Sequence, residues 1–178
     1  MKRNTKKLTT CAIFAAIICV VTTFVAVPAP SIGNINLGDA FILCAAWLLG
    51  PLGAVAAGLG ACLADLFAGY AIYAPATLVI KALMALACHY TFVGLARVTN
   101  KPAFSRILSA LLAELIMVVG YFAYESIIYG FFASVASIPF NLIQGGCCLV
   151  IGSVCAFLLF SNKAIQNFSR EFICTKKS

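Results

Sequence analysis

Eleven of the twelve Lys and Arg residues in this 178-residue chain fall in short segments that flank or interrupt long apolar runs. Lys2, Arg3, Lys6 and Lys7 precede the first run, Arg97, Lys101 and Arg106 break the middle, and Lys163, Arg170, Lys176 and Lys177 follow the last. The connecting segments that alternate with these contain no Lys or Arg. That asymmetry marks a polytopic membrane protein whose basic segments stay on the cytoplasmic side. Composition agrees: 63% hydrophobic and 10% charged residues lie far from the ~45–50% and ~25% of soluble domains. At about 20 residues per span there is room for five to seven spans and no extramembrane domain.

The breakers between the apolar runs predict a single all-α membrane domain, residues 1–178, as a bundle of six transmembrane helices near 8–27, 37–49, 51–69, 73–97, 103–130 and 137–161. Both termini are then cytoplasmic, and segments 28–36, 69–73 and 130–137 face outside. The second helix is about 20 Å long and cannot cross a ~30 Å hydrocarbon core, so it must be buried among its neighbours or sit beside a cavity. Asn36-Leu37-Gly38-Asp39 reads as its N-cap followed by an acid at the positive helix end. The basic start and small residues near Ala26 could form a signal peptide, but the apolar stretch from Leu8 to Val27 is too long for a typical signal core, which favours a retained helix. Eight of the nine cysteines lie in apolar runs and read as small buried hydrophobes. No cofactor, metal site or nucleic-acid partner is expected.

Placing each intramembrane polar residue by its distance from the nearest helix end locates a candidate site. Asp39 opens the second helix, Asp65 lies about a turn from the outer end of the third, and Lys81 about two turns into the fourth. Glu125 lies just over a turn from the outer end of the fifth, and Asn141 and Gln144 fall in the first two turns of the sixth. Five helices thus converge on one outward-facing cavity, with Tyr70, Tyr73, Tyr121 and Tyr124 offering stacking surfaces. Lys81, a charge inside an apolar run, is a functional candidate by default and is expected to pair with Asp65 or Glu125. Asp39 also has a plain reading as a helix cap. The deeper Glu114 and His89 are expected to form an internal hydrogen-bonded pair, or Glu114 to be a protonated acid. Three carboxylates, one ammonium and no arginine suit neither a phosphate nor a polycarboxylate. A small, neutral or weakly basic, hydroxylated aromatic molecule fits, with Lys81, Glu125, Asn141 and Gln144 as the main contacts.

Several motifs together make the chain resemble a substrate-binding S component of an energy-coupling factor (ECF) vitamin importer. They are Asn36-Leu37-Gly38-Asp39-Ala40, Leu49-Gly50-Pro51, Ala64-Asp65-Leu66, Tyr70-Ala71-Ile72-Tyr73-Ala74-Pro75-Ala76-Thr77, Lys81, Glu125 and Ile138-Pro139-Phe140-Asn141-Leu142-Ile143-Gln144-Gly145. The branch it is most similar to is the riboflavin type, which includes carriers for pyridoxine and for the hydroxymethylpyrimidine precursor of thiamine. The resemblance implies a six-helix bundle in a bacterial cell membrane that binds a vitamin on its outer face. It also implies a transmembrane coupling subunit and two ABC-type ATPases as partners. Small residues on the first helix, here Ala12 and Ala16, would dock on the coupling subunit. Ala12, Ala16, Cys19, Thr23 and Ala26 form one small face. The loop 28–36, with Pro28, Pro30, Gly33 and Asn34, would be a gate over the ligand.

The chain contains no Gly-x-x-x-x-Gly-Lys-Ser/Thr, so it is not expected to be an ATPase, and concentrative uptake would need an external motor. Gly58-Leu59-Gly60 reads as helix-packing glycine. Two other functions are compatible with parts of the sequence. A stand-alone ion-coupled carrier or channel would use Glu114 and His89 as a proton relay. An intramembrane aspartyl protease would use Asp39 and Asp65, but both acids are shallow and Lys81 offers an ion pair instead.

Overall fold

A computed structural model describes residues 2–28 and 34–173 of the chain. In order, the elements are α1 (Lys2–Phe24), β1 (Ala26–Pro28), β2 (Asn34–Asn36), α2 (Gly38–Leu49), α3 (Leu52–Phe67), α4 (Ala74–Thr99), α5 (Pro102–Tyr129), α6 (Phe131–Val135), α7 (Ile138–Ser161) and α8 (Lys163–Ile173). Among the described residues, four stretches are long and apolar enough to cross a membrane: Asn4–Phe24, Ala74–Thr99, Pro102–Tyr129 and Phe131–Ser161. The apolar helices α2 and α3 are shorter, at 12 and 16 residues.

The helices α1, α3, α4, α5 and α7 pack in succession around α2, which itself touches α1, α3, α4, α5, α7 and α8. Every α2 residue except Phe41 is buried, and Trp47, Leu43 and Leu49 are fully enclosed. A helix too short to span is therefore sheathed in protein, as its length required. Its one indole donates through Nε1 to Ser109 Oγ on α5 at 3.1 Å, so the buried N–H is satisfied. Close approach of the outer helices depends on missing side chains. A Cβ on Gly60 would lie 2.5 Å from the Ala15 carbonyl oxygen of α1, and one on Gly58 2.8 Å from the Leu78 carbonyl oxygen of α4. The Gly58-Leu59-Gly60 run thus clamps α3 between two neighbours, the small-residue packing used where no hydrophobic gain separates helix contact from lipid contact.

Three features depart from the sequence expectation. First, α1 stops at Phe24 because the chain turns into a hairpin, β1 pairing antiparallel with β2 in the register Ala26↔Asn36, Val27↔Ile35 and Pro28↔Asn34. Ala26 consequently belongs to a strand and not to the helical face of Ala12 and Ala16. Second, the segment after α5 contains the short helix α6, entered through Gly130 at φ 87°. Third, the basic C-terminal segment forms the amphipathic α8. Its Ser169 hydroxyl donates to the Trp47 carbonyl at 3.2 Å, while Phe172 is buried. Lys6 and Lys7 of α1 lie over the Phe168 and Phe172 rings at 4.8 and 5.5 Å. The hairpin and α8 close opposite ends of the bundle.

Candidate functional site

The hairpin end is where α1, α3 and α5 finish and α2, α4 and α7 begin, and a pocket opens there. Its walls include Thr22 of α1, Asn34, Ile35 and Asn36 of β2, Asp65 of α3, Tyr73 and Thr77 at the start of α4, Tyr121 and Glu125 of α5, and Phe140, Asn141 and Gln144 of α7. Its open volume is about 60 Å³, several times the ~10–15 Å³ that one water requires. Six of the expected site residues, Asp65, Tyr73, Tyr121, Glu125, Asn141 and Gln144, share this one lining. Tyr73 is the aromatic hub: its ring centroid lies 6.4 Å from those of Tyr70 and Tyr121 and 5.7 Å from that of Tyr124.

Asp39 and Lys81 lie beneath that lining, not in it. Lys81 Nζ donates to Asp39 Oδ1 at 2.6 Å, with the two side chains 3% and 1% exposed. This replaces the expected pairing of Lys81 with Asp65 or Glu125. The physical reason is depth: α2 starts below the hairpin, so its first acid sits at the level of the second turn of α4. Asp39 is not a cap either, since α2 begins without a side-chain cap bond. The Asn36 side chain instead accepts from the Gly38 N–H at 3.0 Å. Asp39 Oδ2 accepts from Gln144 Nε2 at 2.6 Å, and Gln144 Oε1 accepts from the Asn36 backbone N–H at 2.9 Å. A continuous chain of polar contacts therefore runs from the hairpin, through Gln144, to the buried ion pair. Lys81 Nζ also lies 5.1 Å from the Tyr121 ring centroid, within cation–π range.

The upper wall is satisfied differently. Both Glu125 oxygens are occupied: Tyr73 Oη donates to Oε1 at 3.4 Å, and the Ser137 hydroxyl makes a short bond to Oε2. The Thr77 and Tyr121 hydroxyls share a 3.0 Å hydrogen bond, and Tyr70 Oη donates to Asn34 Oδ1 at 3.2 Å, tying the α3–α4 connection to β2. Against this background, two pocket atoms are buried and without a hydrogen-bond partner: Asp65 Oδ2, an acceptor, and Asn141 Nδ2, a donor. Buried polar groups are normally paired, so these two mark where a ligand would complete the network.

Of the residues expected to form a gate, Asn34 lines the pocket, Pro28 ends β1, and Gly33 with Pro30 lies outside the described residues. Ala12 and Ala16 are exposed on α1. His89 and Glu114 do not pair: His89 Nδ1 and both Glu114 oxygens have no hydrogen-bond partner. Thr22 and Ser137 belong to the site but were not anticipated. The depth rule applied to α1, and to the residue just before α7, would have found both.

Residues 2–160 match the sequence model of the family described as ECF-type riboflavin transporter, S component. A protein of Pyrococcus woesei, described as an uncharacterized protein in gap 3'region, is 34% identical over 145 residues, covering 80% of this chain and 93% of that one. The thiamine precursor transporter HmpT of Lactococcus lactis subsp. cremoris (strain MG1363) is 33% identical over 160 residues, covering 88% and 87%. A solved chain described as "Structure and mechanism of the S component of a bacterial ECF transporter" superposes with a TM-score of 0.62 at 23% identity, over 93% of this chain and 98% of that one. That likeness establishes a shared fold.

Proposed function

The chain belongs to the family of ECF-type riboflavin transporter S components, and we propose that it captures a small water-soluble vitamin at the hairpin end, with hydroxymethylpyrimidine as the substrate. Members of this family are multi-pass membrane subunits of transporters, not enzymes. The observation that carries the substrate is the unpaired Asp65 Oδ2 and Asn141 Nδ2 in one pocket. An aminopyrimidine presents an exocyclic amine that donates and an adjacent ring nitrogen that accepts, so it can answer an orphaned carboxylate oxygen and an orphaned amide N–H₂ together. Its flat ring suits the tyrosines around Tyr73. The Lactococcus relative, a thiamine precursor transporter, supports the same choice.

In this proposal Asp65, Asn141, Tyr73, Tyr121, Glu125 and Gln144 face the ligand, and Asp39 and Lys81 support them from below. The β1–β2 hairpin, with Asn34 on its pocket side, acts as the gate. Residues 1–178 form one membrane domain crossing a bacterial cell membrane six times, with α2 and α3 as its short members and both termini cytoplasmic. Ala12 and Ala16 dock on a transmembrane coupling subunit, which with two ABC-type ATPases supplies the energy that this chain cannot.

Calorimetry on the purified full-length protein in detergent, without ATP or partners, tests the reading against hydroxymethylpyrimidine, pyridoxine and riboflavin. Submicromolar binding of hydroxymethylpyrimidine, at least about tenfold (1.4 kcal/mol) tighter than the others, is expected. Tightest binding of riboflavin overturns the substrate assignment. Solute uptake by the chain alone in liposomes would replace the importer-subunit reading with a stand-alone carrier.

A further inference from the structure

A second cavity, which shares no lining residue with the vitamin pocket, lies on the flank of the bundle between α5 and α7. It encloses about 140 Å³ and is lined by Leu111, Glu114, Leu115, Val118, Leu142, Gly145, Gly146 and Leu149. Leu111, Leu115 and Leu142, on its rim, are 46%, 47% and 52% exposed, so the groove opens sideways onto the surface that faces lipid. Glu114 is its only ionisable wall residue. That side chain is 5% exposed, yet neither of its carboxyl oxygens has a hydrogen-bond partner. Lys81, which acts on it across the bundle, is committed to Asp39 at 2.6 Å. The space exists because the facing wall is glycine: a Cβ on Gly145 would sit 3.2 Å from Glu114 Cβ, whereas one on Gly146 would meet nothing within 4 Å.

An unsatisfied buried acceptor at the base of an apolar groove calls for a donor that arrives through lipid. Shedding hydration on entry costs a charged donor far more than it costs a hydroxyl on an apolar chain. We propose that the α5–α7 groove is a lipid-facing binding site for an uncharged, hydroxyl-bearing amphiphile, whose hydroxyl donates to Glu114 while its chain lies along the leucines. The site is separate from the vitamin pocket and independent of the substrate assigned there.

The probe is dicyclohexylcarbodiimide, an apolar reagent that reaches carboxyls from the lipid phase. A carboxyl oxygen bonds to its central carbon as a proton passes to one of its nitrogens. The O-acylisourea then rearranges to a stable N-acylurea, so the protein gains the whole reagent and nothing leaves. With the full-length protein in detergent, peptide mass spectrometry should find the adduct on Glu114. Glu125, whose oxygens are both engaged, should stay unmodified. Monoolein should slow the labelling of Glu114 at least fivefold, and methyl oleate, which has the same chain without hydroxyls, should not. Gly146→Leu fills open space, so it should fold and bind the vitamin normally while losing both labelling and protection. Absence of the Glu114 adduct, or equal protection by monoolein and methyl oleate, overturns the proposal. Unchanged labelling in Gly146→Leu also overturns it, because the reagent would then be reaching Glu114 by another route.

Discussion

Replacing Lys81 by methionine keeps most of the side chain's volume and removes its charge, leaving Asp39 as an uncompensated carboxylate in a fully buried position. At an effective dielectric constant of ~20, unit charges 2.6 Å apart attract by roughly 6 kcal/mol, and desolvation of both groups offsets much of that. Loss of one partner is therefore expected to cost about 3–5 kcal/mol, the usual penalty for breaking a buried pair. By the scaling for chains of this size, that lowers Tm by roughly 6–20 °C. The remedy follows from the geometry. Asp39→Asn removes the stranded charge and keeps an oxygen for Gln144 Nε2, which now sits 2.6 Å from Oδ2. The double variant Asp39→Asn/Lys81→Met should thus recover at least half of the loss, giving a favourable coupling in a double-mutant cycle. Trp47 is the chain's one tryptophan and is fully buried in α2, so its fluorescence during a thermal melt in detergent reads unfolding at the helix that bears Asp39. A neutral Lys81→Met, or a double variant no better than the sum of the singles, refutes the argument that this pair is a buried, mutually dependent unit.

Asp65→Ala and Asn141→Ala should each weaken hydroxymethylpyrimidine binding by roughly 10- to 100-fold in calorimetry, the equivalent of about 1.5–3 kcal/mol for a charge-assisted hydrogen bond. Gln144→Leu removes the acceptor for the Asn36 N–H and a donor to Asp39, so amide exchange at Asn36 should accelerate and stability fall by about 1–3 kcal/mol. Gly60→Val places a side chain against the Ala15 carbonyl, 2.5 Å from the nearest Cβ position, and should destabilise by at least the ~1–3 kcal/mol typical of overpacking, seen as lost monodisperse yield. Ala12→Trp on the exposed face of α1 should leave vitamin binding by the isolated chain intact yet abolish ATP-driven uptake in the reconstituted importer. Normal uptake would move the docking face elsewhere.

Much of the site was legible because helical rise is constant. Once the breaks at 69–73 and 130–137 locate the outer helix ends, counting 1.5 Å per residue puts Asp65, Glu125, Asn141 and Gln144 at one level without any knowledge of tertiary contacts. The partner of Lys81 was not legible, because it depended on an element with no sequence signal. Strands of three residues, Ala26–Pro28 and Asn34–Asn36, are too short to show alternation. Yet the hairpin they form covers the start of α2 and turns Asp39 from a surface cap into a core residue. Glu125 looked equally available until Ser137, outside any helix, was seen to occupy it. The amphipathic α8 escaped for a related reason: its polar residues masked an apolar stripe, Ile165, Phe168 and Phe172, that packs against the core.

The buried ion pair makes physical sense in a helix that cannot anchor itself. A spanning helix is held along the membrane normal by its own apolar length and by residues at its ends. With 12 residues, 11 of them buried in protein, α2 has neither, and its apolar contacts alone would tolerate sliding, since one aliphatic neighbour serves much like the next. Directional bonds remove that freedom. Asp39 binds Lys81 and Gln144 at the hairpin end, and near the far end Trp47 Nε1 donates to Ser109 while its carbonyl accepts from Ser169 of α8. Shifting α2 by one residue, about 1.5 Å, breaks all of them together. Gln144, which ties Asp39 to the Asn36 backbone, extends the same register to the hairpin. Depth of the pocket floor and position of the hairpin are therefore one mechanical variable, set by a charge pair that lies beneath the pocket lining.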